Sequence, residues 1–88
     1  MTNNYIELKI GKMRKPQNFL VQTVCELGGG QQIVIQSSKS IGRLDTATGE
    51  FRFTTKGCYF PHLTFAEPLE LPEEVKAKIT EIAFGGKN

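Results

Sequence analysis

Residues 19–65, FLVQTVCELGGGQQIVIQSSKSIGRLDTATGEFRFTTKGCYFPHLTF, decide the fold. Short apolar segments are separated by turn-forming residues and no helical period runs through them, so the stretch reads as a small antiparallel sheet. From Phe19 to Leu27, alternation puts Phe19, Val21, Thr23, Cys25 and Leu27 on one face and Leu20, Gln22, Val24 and Glu26 on the other. Apolar residues on both faces suit a central strand. Gly28-Gly29-Gly30 supplies the backbone freedom for a tight reversal, and Gln31–Gln36 returns as the partner strand. Ser37-Ser38-Lys39 breaks the run and Ser40–Leu44 resumes it. Asp45-Thr46-Ala47-Thr48-Gly49 then has the side-chain acceptor and late glycine of a type I turn with a bulge. Phe51 and Phe53 share a strand face, Thr55-Lys56-Gly57 turns, and Cys58–Phe65 is expected as a last strand, confined by Pro61 to an edge or a bulge.

The flanks complete the architecture. Tyr5–Ile10 alternates, with Ile6, Leu8 and Ile10 on one face of a half-buried strand. An acidic connector over 66–71 leads to Pro72 at a first helical position, with Glu73 and Glu74 beside the positive helix end. Val75, Ile79, Ile82 and Ala83 share one helical face, Glu74 and Lys78 are spaced to pair, and Gly85 suits the left-handed position after the last turn. The expected fold is therefore α+β: one domain over 1–88, an antiparallel sheet of four to six strands within 4–65, and a helix over about 72–84 packed on one face.

Size and composition limit what such a domain can do. With 88 residues it has one core, and burying roughly 60 to 65% of its unfolded surface leaves little for a deep cleft within one subunit. Apolar content of 39% and charged content of 23% exclude wholesale disorder. No run of apolar residues is long enough to cross a bilayer, and Met1-Thr2-Asn3-Asn4 opens without a basic and apolar leader. Those features predict a cytoplasmic protein without membrane association, in which Cys25 and Cys58 are free thiols.

Catalytic and cofactor chemistry find little footing. The triple glycine precedes a strand, whereas a phosphate loop needs a following helix N-terminus. Gly85-Gly86 follows the helix directly and reads as a cap, not as the extended diglycine of ubiquitin-like modifiers. Cys25, Cys58 and His62 fall one ligand short of a structural zinc site and lack the close cysteine pair. A Cys58–His62 nucleophilic pair would need the imidazole within reach of the thiol, which this spacing does not ensure. Glu67, Glu70, Glu73 and Glu74 sit where they serve the helix start, so no catalytic carboxylate pair is visible. The expectation is a protein that is not an enzyme and uses no metal or cofactor.

Binding is the remaining class. The net charge of +2 is uneven: residues 1–56 carry eight Lys or Arg against four acids, and residues 57–88 carry three against five. Lys9, Lys12, Arg14 and Lys15 form the densest cluster, the last three on a loop bounded by Gly11 and Pro16. From Phe51 to Phe60, basic and aromatic residues interleave as they do in single-strand nucleic-acid binders. The run does not match the aromatic strand motif of RNA-recognition modules, because Cys58 stands where a ring is wanted and Pro61 interrupts. Lys9, Lys12, Arg14, Lys15, Arg43, Arg52, Lys56 and Tyr59 are thus candidates for single-stranded nucleic acid, while Phe51 and Phe53 are assigned to the core. The competing reading is a protein-interaction or inhibitory role. One helix covers one sheet face, leaving Leu20, Val24 and Val34 for a protein partner or a second copy in a homodimer.

Overall fold

A computed structural model of the chain describes residues 4–25 and 31–84. It is an α+β fold in which six antiparallel strands lie in sequence order and one helix follows. The strands are β1 (Tyr5–Leu8), β2 (Gln17–Cys25), β3 (Gln31–Gln36), β4 (Ile41–Asp45), β5 (Phe51–Thr54) and β6 (Glu67–Pro68), and the helix is α1 (Glu73–Phe84). Every strand pairs with its sequence neighbour, so each connection is local. The β2–β3 hairpin ends with Cys25 opposite Gln31. The form of the triple-glycine turn, the Cys25 side chain and the Gly85 cap lie outside what the structure describes.

Register assigns the two faces. Val21 stands opposite Ile35, Ile33 opposite Leu44, and Leu44 opposite Phe51. These residues, with Ile6, Phe19 and Ile79, form the main core. α1 lies against β2 and β3 and inserts Ile79, with Val75, Ile82 and Ala83 packed beside it. The expected helical stripe is the one used, and burying a side chain like Ile79 contributes about 1.5–3 kcal/mol. The first turn is fixed where Val75 and Lys76 donate their N–H groups to the Pro72 carbonyl at 3.0 and 3.1 Å. The helix's ion pair is not the expected Glu74–Lys78 but Lys76 Nζ with Glu73 Oε2 at 3.5 Å. Lys76 leans instead toward the β4–β5 turn, where its ammonium lies close to Gly49.

That turn has its expected form. Asp45 Oδ1 accepts from the Ala47 N–H at 2.8 Å, the Gly49 N–H returns to the Asp45 carbonyl at 2.7 Å, and Gly49 has φ +79°. The positive φ explains the glycine. Gly42 answers to a different constraint. A Cβ there would stand 2.8 Å from Phe51 Cζ and 3.0 Å from the Arg52 carbonyl, because the Phe51 and Phe53 rings lie across the strand.

The segment expected as a last strand is not one. Residues Phe60–Phe65 form a 3-10 helix, with a proline in its first turn, and the short strand β6 falls within the expected connector, where Pro68 sits at the sheet edge. Proline lacks the N–H that a ladder requires, yet is tolerated at a helix start and at an edge. The 3-10 helix lies against β4 and β5. Gln36 and Arg52, both projecting from the face opposite α1, tie its flanks: Gln36 Nε2 donates to the Cys58 carbonyl and Arg52 Nη1 to that of Ala66. Gln22 Nε2 extends the first link by donating to Gln36 Oε1 at 3.0 Å.

This second layer closes part of the face that the sequence reading leaves open. Val34 is 1% exposed and Ile41 is fully buried, and neither belongs to the main core. Val34 is therefore interior within the single chain and is not presented to a partner. Leu20 and Val24, nearer the β1 edge, are half-buried.

Gly42→Ala should lower stability by about 1–3 kcal/mol, as overpacking does, because β5 backbone and not only a flexible side chain blocks the added methyl. Thermal unfolding checks this. A midpoint unchanged by the substitution would contradict the close approach of β4 and β5.

Candidate nucleic-acid interface

Chain direction gathers the cations at one end of the sheet. β1 ends where β2 begins, with Leu8 opposite Gln17, and β3, β4 and β5 meet at Gln36, Ile41 and Thr54. The loop after β1, the turn after β3 and the turn after β5 therefore share that end. They carry Lys12, Arg14 and Lys15, then Lys39, then Lys56.

The basic loop is held from inside by two apolar anchors. Ile10 is buried and Met13 packs against the main core. The Met13 N–H donates to the Ile10 carbonyl at 3.2 Å, and Gly11 takes φ +63° to close the turn. Lys12, Arg14 and Lys15 are exposed around these anchors. Lys9 is exposed just before them.

A groove of about 480 Å³ separates this loop from the β5 end and the 3-10 helix. Its walls include Lys12 and Met13 on one side and Lys56 and Phe65 on the other, with Phe53 and Leu69 between; Glu67 contributes the opposing charge. Two of the sequence candidates, Lys12 and Lys56, are thereby brought together across a channel with aromatic walls.

The 3-10 helix turns its rings outward. It buries no residue of its own, and Tyr59, Phe60 and Phe65 are 65%, 43% and 51% exposed. His62 organises the row: its ring centroid lies 5.8 Å from that of Tyr59 and 6.4 Å from that of Phe65. Lys56 Nζ lies 5.7 Å from the Phe65 centroid, within cation–π range. The His62 Nδ1 accepts the Tyr59 N–H at 3.0 Å, and the His62 N–H bonds the Tyr59 carbonyl at 2.8 Å. Nδ1 is thus occupied within the turn. Gly57 allows this, because a Cβ there would overlap the His62 ring.

The two strand arginines belong elsewhere. Arg43 and Arg52 are directly opposite on β4 and β5, both half-buried on the face away from α1. Arg52 is engaged by Glu50 at 3.5 Å and by the Ala66 carbonyl at 3.2 Å, so it acts first as a latch for the second layer. Neither lines the groove beside the basic loop. The candidates drawn from the sequence do not include Lys39 and Phe65. Phe65 falls in the segment that the sequence reads as a strand, and Lys39 joins the cluster through a contact remote in sequence.

Among the described residues, no three or more His, Cys, Asp and Glu side chains are grouped to hold a metal, and no helix is long and apolar enough to cross a membrane.

His62→Ala should speed amide hydrogen exchange at Tyr59 and His62 while leaving the β3 amides unchanged, because the row rests on a local bond and buries nothing of its own. Gly57→Ala should reproduce the effect by displacing the ring. Residue-resolved exchange measured by NMR checks both; unchanged exchange at Tyr59 would contradict the assigned bond.

No protein family matches the chain, and no characterised protein or solved structure matches it either, so its function has to be drawn from the groove and the rings beside it.

Proposed function

We propose that the protein binds single-stranded nucleic acid, as a cytoplasmic, non-enzymatic domain. The observation that carries this reading is the groove in which Lys12 and Lys56 face each other beside Phe65, at the foot of the exposed row Tyr59–His62–Phe65. Single strands are held by cations that follow the phosphates and by rings that stack bases, and stacking tolerates any sequence because every base has a π-face. Lys12 and Lys56 hold phosphate; Tyr59, the most exposed ring, stacks a base; Arg14, Lys15 and Lys9 extend the positive field. Duplex is disfavoured, because its bases are stacked on one another and closed to these rings.

A second reading, self-association or protein recognition, keeps one observation in its favour. Tyr5, 49% exposed, stands opposite Leu20 at the β1 edge, with Val24 further along the same face of β2. With Val34 buried, this patch is smaller than the alternation alone suggests.

Fluorescence anisotropy with short DNA and RNA oligonucleotides tests the first reading. If about four phosphates are neutralised, log affinity should fall against log salt with a slope near −3. Replacing Lys12, Arg14 and Lys15 together by Glu should abolish binding at unchanged melting temperature, and Tyr59→Ala should weaken it by about 1–3 kcal/mol. Absence of binding below about 100 μM at about 50 mM salt, where non-specific cationic contacts are strong, would overturn this function and leave protein recognition in front.

A further inference from the structure

The turn between β3 and β4 presents one lysine with unusual economy. Ser37 and Ser40 are buried, while Ser38 and Lys39 are exposed. Ser37 Oγ accepts the N–H groups of Lys39 and Ser40 at 3.2 and 3.0 Å and donates to Gln17 Oε1 at 2.7 Å. Gln17 opens β2 directly after the basic loop. A buried hydroxyl therefore shapes the Lys39 turn and ties it to the segment that carries Arg14 and Lys15.

Between them lies a second groove of about 460 Å³, bordered by Met13, Arg14, Lys15, Gln17, Ser38 and Lys39. Its lining holds three cations, no carboxylate and no aromatic ring. The groove beside Phe65 holds two lysines, one glutamate and two phenylalanines. Met13 borders both, so the grooves flank a single loop. Cations gathered in a cleft without acids concentrate anions there, and the lack of rings removes the means to stack a base.

We propose that this second groove is a phosphate channel that reads no base: a single strand crosses the loop at Met13, held by rings and cations on one side and by its backbone alone on the other. This rests on the nucleic-acid reading and adds to it the polarity of the bound strand. One end of the ligand contributes bases, and the other contributes charge.

The experiment uses the intact chain, oligothymidylates of about ten nucleotides, a length within the range of small single-strand binders, and the same oligomers with abasic spacers over the 5′ or the 3′ third. Spacers at one end should leave the affinity within about two-fold, whereas spacers at the other should weaken it at least about five-fold, the loss of one stacked base. Lys39→Gln should make the salt slope shallower by about 0.7, the release for one phosphate on a single strand, and Lys39→Glu should weaken binding further, with melting temperatures unchanged in both. Equal losses from spacers at either end, or an unaltered slope in both Lys39 variants, would overturn the channel while the nucleic-acid reading stands. Failure of the unmodified oligomer to bind the unaltered protein would overturn both.

Discussion

Burial of three consecutive residues on the central strand, Ile33, Val34 and Ile35, sets the terms for the rest of the molecule. Side chains alternate across a sheet, so a strand that buries three in a row must be covered on both faces. One twelve-residue helix covers one face. The chain meets the second demand with residues 58–66, which fold back over β4 and β5 and are fastened at either end by Gln36 and Arg52. The sheet becomes the middle of three layers, although the outer cover on one side is a short and polar-fastened one.

That solution has consequences for the surface. A cover of only two turns cannot bury much of itself, and it faces its rings outward instead of into a core. Across the same end of the sheet, Ile10 and Met13 do the reverse: they turn inward and leave the cations of their loop in water. Rings and cations so arrive side by side through two separate packing events, and the groove between them is the concave feature on which the proposed nucleic-acid role depends. The arginine on β5 contributes through structure first, since Arg52 is held by Glu50 and by the cover it fastens.

Much of the fold was legible in the sequence because its connections are local. The Asp45–Gly49 turn and the Val75–Ile79–Ile82 stripe each report on near neighbours and are found in the structure, and the alternation of Tyr5–Ile10 and of Phe19–Leu27 marks two of its strands, which run over Tyr5–Leu8 and Gln17–Cys25. Residues 58–65 read as a strand because aromatic content signals one regardless of what it packs on, whereas Pro61 stands in the first turn of a helix. Val34, which alternation puts on the face away from α1 and leaves for a partner, is buried within the single chain. The site was half legible. Lys12, Arg14, Lys15, Lys56 and Tyr59 stand out by composition, whereas Lys39 and Phe65 join them through contacts such as Ser37 to Gln17 that no local pattern encodes.

Val34→Asp tests most directly whether the chain itself closes the face away from α1 at Val34. A carboxylate placed there without a partner should cost about 3–5 kcal/mol, seen as a fall of at least about 12 °C in the melting midpoint or as loss of cooperative unfolding. The fall should be the same at about 5 and 100 μM protein, since burial within one chain does not depend on concentration. A midpoint within a few degrees of the unaltered protein would show that the face is open, and a loss confined to dilute samples would show that a second copy covers it.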